Sequence, residues 1–256
     1  SREFLECEAV FGKQFSQPVA APEGKRSYVG TLAHAQAPAW TKIRIGVEAN
    51  YPPFSKMGTD GKVTGFDIDI ANAVCAEMKA QCTLVTQEWD GMMPALNAKK
   101  FDFLISSLSI TEERKADRLF TQNYYPPAIS LYVAKSADVD LASSVVSAQT
   151  ATIQASHVAE SGAQLLEFKT PDETVAAVRN GEADAVLADS EFLDPIVAQS
   201  NGELVVVDQV QLGGGVGAAF RQSDTELAAK FDKAIGEMKA DGTINELIKK
   251  WFKEQA

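Results

Sequence analysis

The 256-residue sequence is poor in the residues and segments that several classes of protein require. It has three cysteines and two histidines, and neither His34 nor His157 has a cysteine or histidine at metal-ligand spacing, so we expect no metal site. No run approaches the 18 or so apolar residues that a membrane helix needs, so we expect no direct membrane insertion. Basic residues number 24 against 35 acidic ones, a formal net charge of −11. Because this field repels phosphate groups, we expect no nucleic-acid partner, whereas a cationic small ligand is compatible with it.

The composition is that of an ordinary folded protein. Hydrophobic residues make up 45% of the chain and charged residues 23%, which is usual for globular domains. A length of 256 residues suffices for one large domain or for two compact lobes with separate cores. Disordered, collagen-like and disulfide-dense classes are therefore excluded.

From residue 43 onward, short apolar strands alternate with amphipathic helices. Strands are predicted at 43–48, 82–87, 101–107, 130–135, 145–149, 165–169, 183–189 and 203–207. Helices are predicted at 66–78, 90–100, 111–120, about 152–160 and 170–179, with two more beginning near 223 and 243. This alternation is typical of parallel βαβ units and indicates an α/β protein with two lobes.

Two segments are predicted to connect the lobes. They are the apolar strand at 130–135 and the glycine-rich run at 212–217, where glycines tolerate changes of backbone dihedral without steric cost. The predicted parts are then an N-terminal extension of uncertain structure (1–41), a discontinuous first lobe (42–127 and 213–256) and a second lobe (128–212).

Cys75 and Cys82 allow two interpretations. If the helix predicted from residue 66 continued through both, helical rise would separate them by about 10 Å, too far for a disulfide. If the helix ends near Met78 and the chain turns back into a strand, the two sulfurs can meet, which requires an oxidising compartment. Two buried free thiols are the alternative. Cys7 is left without a partner in either case.

Polar and aromatic side chains cluster where the predicted strands end. In parallel α/β sheets, ligands bind beyond the carboxyl ends of the strands. The candidate ligand-binding residues at this rim are Glu48, Tyr51, Trp89, Ser106, Ser107, Ser109, Arg114, Ala151, Thr152 and Asp189. Each of them alone has an ordinary structural explanation, and their common position at one rim is what favours a site.

These side chains suit a zwitterion with a second positive charge. A guanidinium such as that of Arg114 binds a carboxylate bidentately, and N–H groups at a helix start add to it. A carboxylate such as Asp189 can take an ammonium group. Glu48 beside Tyr51 and Trp89 suits a cationic side chain, through an ion pair and cation–π contacts. The sequence thus predicts a site for a cationic amino acid and no cofactor.

Six motifs resemble those of a known family. They are GFDIDI (65–70), WDGMMPAL (89–96), ISSLSITEER (105–114), QTATIQ (149–154), AVLADS (185–190) and GVGAAFR (215–221). In order and spacing they resemble the polar amino-acid-binding proteins of ABC importers (solute-binding protein family 3), above all the lysine/arginine/ornithine and histidine binders, over about residues 42–254. The resemblance implies a periplasmic binding protein type II fold, in which two lobes joined by two crossover segments close over one amino acid.

The resemblance also implies roles for individual residues. Arg114 resembles the arginine that clamps the ligand α-carboxylate, Asp189 the carboxylate that takes the α-ammonium, and Glu48 the acid that takes the distal charge. The hydrogen-bonding companions and the aromatic pair of the family correspond to Ser107, Ser109, Thr152, Tyr51 and Trp89. A cysteine pair at the spacing of Cys75 and Cys82 is disulfide-bonded in that branch.

Three positions depart from the family pattern. Glu48 stands where aspartate is commoner, Ala151 replaces a frequent serine, and Ile153 replaces a frequent glutamine. The ligand therefore stays open among arginine, ornithine, lysine, histidine and a larger opine.

The function implied is that of a monomeric periplasmic protein that captures a free cationic amino acid and delivers it to an ABC permease in the inner membrane. We expect no catalysis. One alternative is a dehydratase-type enzyme on the same scaffold, which needs a general acid or base with a shifted pKa. Another is a sensor that signals to a receptor through the same clamp.

Overall fold

The computed structural model describes residues 40–252. The N-terminal extension predicted for 1–41 lies almost entirely outside the described residues, and so do Cys7 and His34. Within the described range, strands and helices alternate as the sequence indicates.

The strands are short. They are β1 (Lys42–Val47), β2 (Asn50–Tyr51), β3 (Ser55–Met57), β4 (Val63–Thr64), β5 (Gln81–Thr86), β6 (Phe103–Leu104), β7 (Arg118–Phe120), β8 (Ile129–Ala134), β9 (Val145–Gln149), β10 (Gln164–Phe168), β11 (Ala185–Asp189), β12 (Val205–Gln211) and β13 (Ala219–Arg221). The most buried are β1, β6, β8, β9 and β11.

The helices connect the strands and cover the sheets. They are α1 (Phe66–Glu77), α2 (Met92–Asn97), α3 (Glu112–Lys115), α4 (Ile153–Ser161), α5 (Pro171–Asn180), α6 (Ser190–Gln199), α7 (Thr225–Ala240) and α8 (Thr243–Trp251), with a 3₁₀ turn at Trp89–Gly91.

Two five-stranded sheets form the cores of two lobes. Their strand orders are β5-β1-β6-β13-β7 and β10-β9-β11-β8-β12, and a small three-stranded sheet, β2-β3-β4, accompanies the first. In the first sheet β13 runs antiparallel to both of its neighbours, and in the second sheet β8 does the same. The predicted α/β fold of two mostly parallel sheets is therefore confirmed, with one reversed strand in each.

The two reversed strands follow the segments that pass from one sheet to the other. The chain leaves the first sheet after β7 and enters the second at β8, and it returns between β12 and β13. The glycine-rich run at 212–217 lies on this return path, as expected. The strand at 130–135 is itself part of the second sheet, so the first connection lies before it, at 121–128. The two connections touch each other, because the backbone N–H of Tyr124 donates to the Val216 carbonyl at 2.8 Å.

The helix predicted at 111–120 is much shorter in the structure. Thr111 does cap it, accepting a hydrogen bond from the backbone N–H of Arg114 at 3.1 Å, but α3 ends at Lys115. The next residues form β7, which pairs with β13 from a distant part of the chain. Strand pairing of this kind overrides the local helical pattern.

Cys75 and Cys82 form a disulfide, with their Cα atoms 6.3 Å apart. Helix α1 ends at Glu77, and Lys79 adopts a left-handed backbone conformation (φ 54°) that turns the chain toward β5. Cys82 then pairs in register with Ile43 of β1. The interpretation in which the chain turns back is correct, and the one with free thiols is wrong.

Candidate functional site

A cavity lies between the carboxyl ends of the strands of the two lobes. All of the predicted site residues except Ala151 line it, and three further residues join them. The lining residues are Glu48, Tyr51, Trp89, Ser106, Ser107, Ser109, Arg114, Gln149, Thr152, Ile153, Gln154 and Asp189. The structure thus brings together side chains that lie up to 141 residues apart in the sequence (189 − 48).

The strand ends explain this convergence. Glu48 follows the last residue of β1, Gln149 is the last residue of β9, and Asp189 is the last residue of β11. Because parallel strands end at one edge of a sheet, these side chains emerge at the same edge of each lobe. Ser106 supports this edge directly, since its Oγ accepts a hydrogen bond from the backbone N–H of Glu48 at 3.0 Å.

Glu48 forms a buried acidic end of the cavity. Its side chain is 5% exposed, and its Oε1 accepts a hydrogen bond from Nε2 of Gln149 at 2.9 Å. Burial raises the pKa of Glu48 to about 7, the Gln149 hydrogen bond opposes this, and the charges of Glu88 and Asp90 add to it. A cation placed here would relieve the cost of burying the carboxylate.

Asp189 is a second buried carboxylate, held by side chains of both lobes. Its Oδ2 accepts a hydrogen bond from the Tyr51 hydroxyl at 2.8 Å, and its Oδ1 accepts one from Nε2 of Gln154 at 2.7 Å. The same Gln154 amide also donates to Oγ of Ser130 at 3.0 Å. Burial raises the pKa of Asp189 to about 6, the nearby charge of Glu191 adds to the rise, and the two hydrogen bonds oppose it.

Arg114 supplies the positive end of the cavity. Its guanidinium donates to the backbone carbonyls of Ser109 at 3.0 Å and Ala151 at 3.3 Å. Its Cζ atom lies 6.0 Å from the centre of the Trp89 ring. Burial lowers the pKa of Arg114 to about 10, with the charge of Arg118 contributing, so the group stays protonated at neutral pH. Among residues 40–252, no carboxylate lies within ion-pair distance of this guanidinium.

Two polar atoms at the cavity lack partners among the described residues. They are Oγ of Ser107 and Nε1 of Trp89, both removed from solvent. A buried polar atom without a hydrogen bond is costly in a folded protein and calls for an explanation, such as a ligand. Ser107 also has a left-handed backbone (φ 45°), which is uncommon for a residue with a side chain.

Ala151 has a different position from the one predicted. Its side chain is exposed and borders a neighbouring cavity, while its carbonyl contacts Arg114. A left-handed backbone at Ala151 (φ 58°) directs the chain into the start of α4. Thr152 is the N-cap of that helix, accepting from the backbone N–H of Ala155 at 3.1 Å.

Sequence reasoning missed Gln149, Gln154 and, as a lining residue, Ile153. Gln149 is 8% exposed and Gln154 is 5% exposed, although both are polar. Two signals were available: both residues belong to the QTATIQ motif (149–154), and Gln149 ends a predicted strand while Gln154 follows the predicted start of a helix. A glutamine at such a place is usually solvated.

Within residues 40–252, hydrogen bonds join the first lobe to the second around the cavity. They are Tyr51–Asp189, Gln149–Glu48, Arg114–Ala151 and the 2.8 Å bond from the Tyr125 hydroxyl to Oε1 of Glu191. In each bond, one residue belongs to the first lobe or to the connection at 121–128, and the other belongs to the second lobe. Contact between the lobes therefore also fixes the positions of side chains that line the cavity.

The described residues show neither a metal site nor a membrane span. No cluster of three or more histidine, cysteine, aspartate or glutamate side chains in residues 40–252 could hold an ion. Within the same residues, no helix has both the length and the apolar character needed to traverse a bilayer.

Comparison with known families and structures gives a consistent result. Residues 43–254 match the model of the bacterial extracellular solute-binding proteins, family 3. The L-arginine-binding protein of Pseudomonas aeruginosa is 38% identical over 226 residues, which cover 82% of this chain and 87% of that protein. The histidine-binding periplasmic protein of Salmonella typhimurium is 35% identical over 238 residues, covering 87% and 91% respectively.

A solved structure extends the comparison to three dimensions. It is a periplasmic His/Glu/Gln/Arg/opine family-binding protein from Silicibacter pomeroyi in complex with lysine, 52% identical in sequence, with a TM-score of 0.81. The match covers 84% of this chain and 98% of that one.

Proposed function

We propose that this chain, which belongs to family 3 of the bacterial extracellular solute-binding proteins, captures a free amino acid with a cationic side chain in the cavity between its lobes. The observation that carries the proposal is the arrangement of charge. Glu48, Arg114 and Asp189 line one cavity, and such a set complements a zwitterion that bears an additional positive charge.

Each charged group then has one role. The Arg114 guanidinium, which lacks a carboxylate partner among the described residues, takes the α-carboxylate, together with the hydroxyl of Ser107. Asp189, fixed by Tyr51 and Gln154, takes the α-ammonium. Glu48 takes the distal cation. Charge-assisted hydrogen bonds of this kind are stronger than neutral ones, and stronger still where water is excluded.

Lobe closure is the proposed means of capture. Tyr51, Glu48 and Arg114 approach the cavity from one lobe, and Asp189, Gln149 and Thr152 from the other, so the ligand bridges both. Binding energy then shifts an open–closed equilibrium toward the closed form. We propose 42–127 with 213–256 as the first lobe and 128–212 as the second.

The partners follow from the family. Relatives over most of the chain are named as arginine- and histidine-binding proteins, the latter periplasmic, and a lysine complex is known for the Silicibacter pomeroyi protein. We therefore assign the chain to the periplasm, as a monomer that delivers its ligand to an inner-membrane ABC permease. Arginine, lysine, ornithine and histidine are the first ligands to test, and an opine is the next.

The direct experiment is a thermal-shift screen of the protein against the twenty amino acids, ornithine and opines, followed by calorimetry on the hits. The proposal predicts stabilisation by cationic amino acids above all others, since ligand that binds only the folded state raises its stability. Stabilisation by acidic amino acids alone, or by none of these compounds, would refute it.

A catalytic function is the competing proposal, because a carboxyl with a pKa of about 7, such as Glu48, suits a general acid or base. The relatives reported above are named as binding proteins. Mass spectrometry of ligand recovered after prolonged incubation separates the two, since a binding protein returns the compound unchanged.

A further inference from the structure

Asp67 is a fully buried carboxylate next to the site that does not line the cavity. Its side chain is 0% exposed. Its Oδ2 accepts a hydrogen bond from the backbone N–H of Ser107 at 2.6 Å, and its Oδ1 accepts one from the hydroxyl of Tyr124 at 2.8 Å. Burial raises the pKa of Asp67 to about 7, against which these two hydrogen bonds act. A carboxylate is a costly group to bury, so a neutral acceptor would serve packing alone better.

The first partner of Asp67 belongs to the ligand site. Ser107 lies in the loop after β6, its backbone is left-handed (φ 45°), it lines the cavity, and its buried hydroxyl has no partner among the described residues. A side-chain-bearing residue does not hold this conformation without support from its surroundings. The bond to Asp67 supplies that support from below the loop.

The second partner of Asp67 belongs to the connections between the lobes. Tyr124 is buried in the first connection, and its backbone N–H donates to the carbonyl of Val216 in the return connection. The following residue, Tyr125, reaches across to Glu191 of the second lobe. One carboxylate thus ties the ligand-contacting serine loop to both segments about which the lobes can move.

We propose that Asp67 is a positioning residue for ligand binding, which holds Ser107 in the conformation that presents its hydroxyl to the ligand and joins that loop to the interlobe connections. The inference rests on the proposed function only in placing the ligand in this cavity. Because Ser107 faces the part of the ligand common to all amino acids, Asp67 affects affinity for every ligand alike. Glu48, by contrast, affects cationic ligands selectively.

The test compares Asp67→Asn with Asp69→Asn. Asparagine keeps the size but can accept through one atom only, so one of the two bonds is lost. Asp69, two residues along α1, accepts from Nζ of Lys250 and Nε1 of Trp251, both at 2.7 Å, and does not line the cavity. We expect D67N to weaken binding of each ligand by the same factor, about tenfold. D69N should lower thermal stability and leave affinity within about threefold.

A double-variant cycle separates positioning from general destabilisation. If Asp67 acts through Ser107, then D67N in a Ser107→Ala background should weaken binding by less than about threefold, because contacting groups are not additive. If the fold-losses in affinity of D67N and Ser107→Ala simply multiply in the double variant, the proposal is overturned. It is also overturned if D67N loses stability but keeps its affinity.

Should D67N not fold, Tyr124→Phe removes only the bond between Asp67 and the first connection. It should weaken binding about two- to fivefold, and unchanged affinity would contradict the coupling.

Hydrogen exchange of residues 105–110 tests the same claim without any ligand. The amide of Ser107 should exchange faster in D67N than in wild type or D69N. Equal exchange in all three would overturn the positioning role. If the Ser107 amide exchanges faster in D67N and the wild-type protein binds no amino acid, Asp67 still holds the Ser107 loop, but the proposed function is refuted.

Discussion

At the scale of single residues, the account depends on three charged side chains that are each unfavourable without a ligand. Glu48 and Asp189 are buried carboxyls with raised pKa values of about 7 and about 6, and Arg114 is a guanidinium without an ion pair among residues 40–252. A structural network would pair such groups with one another. Here they face one cavity with opposite signs, as a zwitterionic cation requires.

Replacing Arg114 by alanine should strongly weaken binding of every amino acid, because the ligand carboxylate would lose its bidentate partner in a desolvated site. The expected loss in affinity is roughly a hundredfold to a thousandfold, measured by titration calorimetry with the tightest ligand of the screen. Arg114→Lys keeps the charge but not the planar fork, so it should bind with intermediate affinity.

The matched control is Arg179→Ala. Arg179 lies on α5, pairs with Glu203 at 3.7 Å and does not line the cavity. If the two variants Arg114→Ala and Arg179→Ala bind the amino acid with equal affinity, the ligand's α-carboxylate does not bind to Arg114.

Replacing Glu48 by glutamine should weaken cationic ligands selectively. The change removes the charge and keeps the size, so arginine and lysine should lose roughly a hundredfold in affinity, as when one partner of a buried ion pair is removed. The free amino acid glutamine, which is neutral and of similar shape, should bind to the Glu48→Gln variant at least as tightly as to the wild-type protein. Calorimetry with arginine, lysine and glutamine gives the ratio of variant to wild-type affinity for each ligand.

Glu167→Gln is the control for that charge change, since Glu167 is exposed on β10 and does not line the cavity. A Glu48→Gln variant that loses arginine and glutamine in equal proportion would contradict a distal-charge role.

Affinity for cationic ligands should rise with pH between about 5 and 8. Glu48 and Asp189 are partly protonated in this window, with pKa values of about 7 and about 6. A bound cation favours their ionised forms, so binding releases protons and is weakened as pH falls. If the bound pKa values lie below 5, arginine should bind roughly a hundredfold to a thousandfold more weakly at pH 5 than at pH 8.

Calorimetry in buffers of different ionisation enthalpy counts the released protons. In Glu48→Gln the dependence above pH 6 should nearly vanish. A flat profile in the wild-type protein would mean that these carboxyls are already ionised without ligand, contrary to the account.

At the scale of elements, sequence patterns predicted what is local and missed what is not. Helix α5 carries both halves of a capping box, since Thr170 Oγ1 accepts from the backbone N–H of Glu173 at 3.3 Å and Glu173 Oε2 accepts from that of Thr170 at 3.0 Å. It ends at Gly181 in the left-handed conformation (φ 79°). These signals all lie between Thr170 and Gly181 and depend on local sequence and backbone geometry alone.

The misses have non-local causes. Helix α6 was not predicted, and Pro195 lies inside it, where a proline normally indicates a break. Strand β7 replaced the end of a predicted helix because it pairs with β13, about 100 residues further on. Neither cause is visible in a short stretch of sequence. The same holds for Gln149, which bonds to Glu48 across the cavity, and for Gln154, which bonds to Ser130 and Asp189.

The disulfide gives a prediction at this scale. Changing both Cys75 and Cys82 to serine should lower the free energy of unfolding by about 2–3 kcal/mol, because the bridge restricts the unfolded chain. Cys82 pairs near the start of β1 and β5, whereas the cavity lies at the carboxyl ends of the strands. Ligand affinity should therefore stay within about threefold of wild type.

Denaturant unfolding of the wild type with and without a reducing agent is the control, and the reduced wild type should match the double variant. Loss of binding in step with loss of the bridge would contradict the separation of the disulfide from the site.

At the scale of the whole molecule, two sheets and the connections between them make the site. No lobe holds all three charged groups, because Glu48 and Arg114 come from one and Asp189 from the other. The resemblance of six motifs predicted this architecture and eight of the twelve residues that line the cavity. It did not predict the contacts that join the lobes, such as Tyr51 to Asp189 across 138 residues, since these depend on how the two bodies meet.

The most direct test of the central claim is a crystal structure of the protein grown with arginine. The account predicts the ligand between the lobes, its α-carboxylate on Arg114, its α-ammonium on Asp189 and its guanidinium on Glu48. Density for arginine outside this cavity, or in the reverse orientation with its carboxylate toward Glu48, would contradict it.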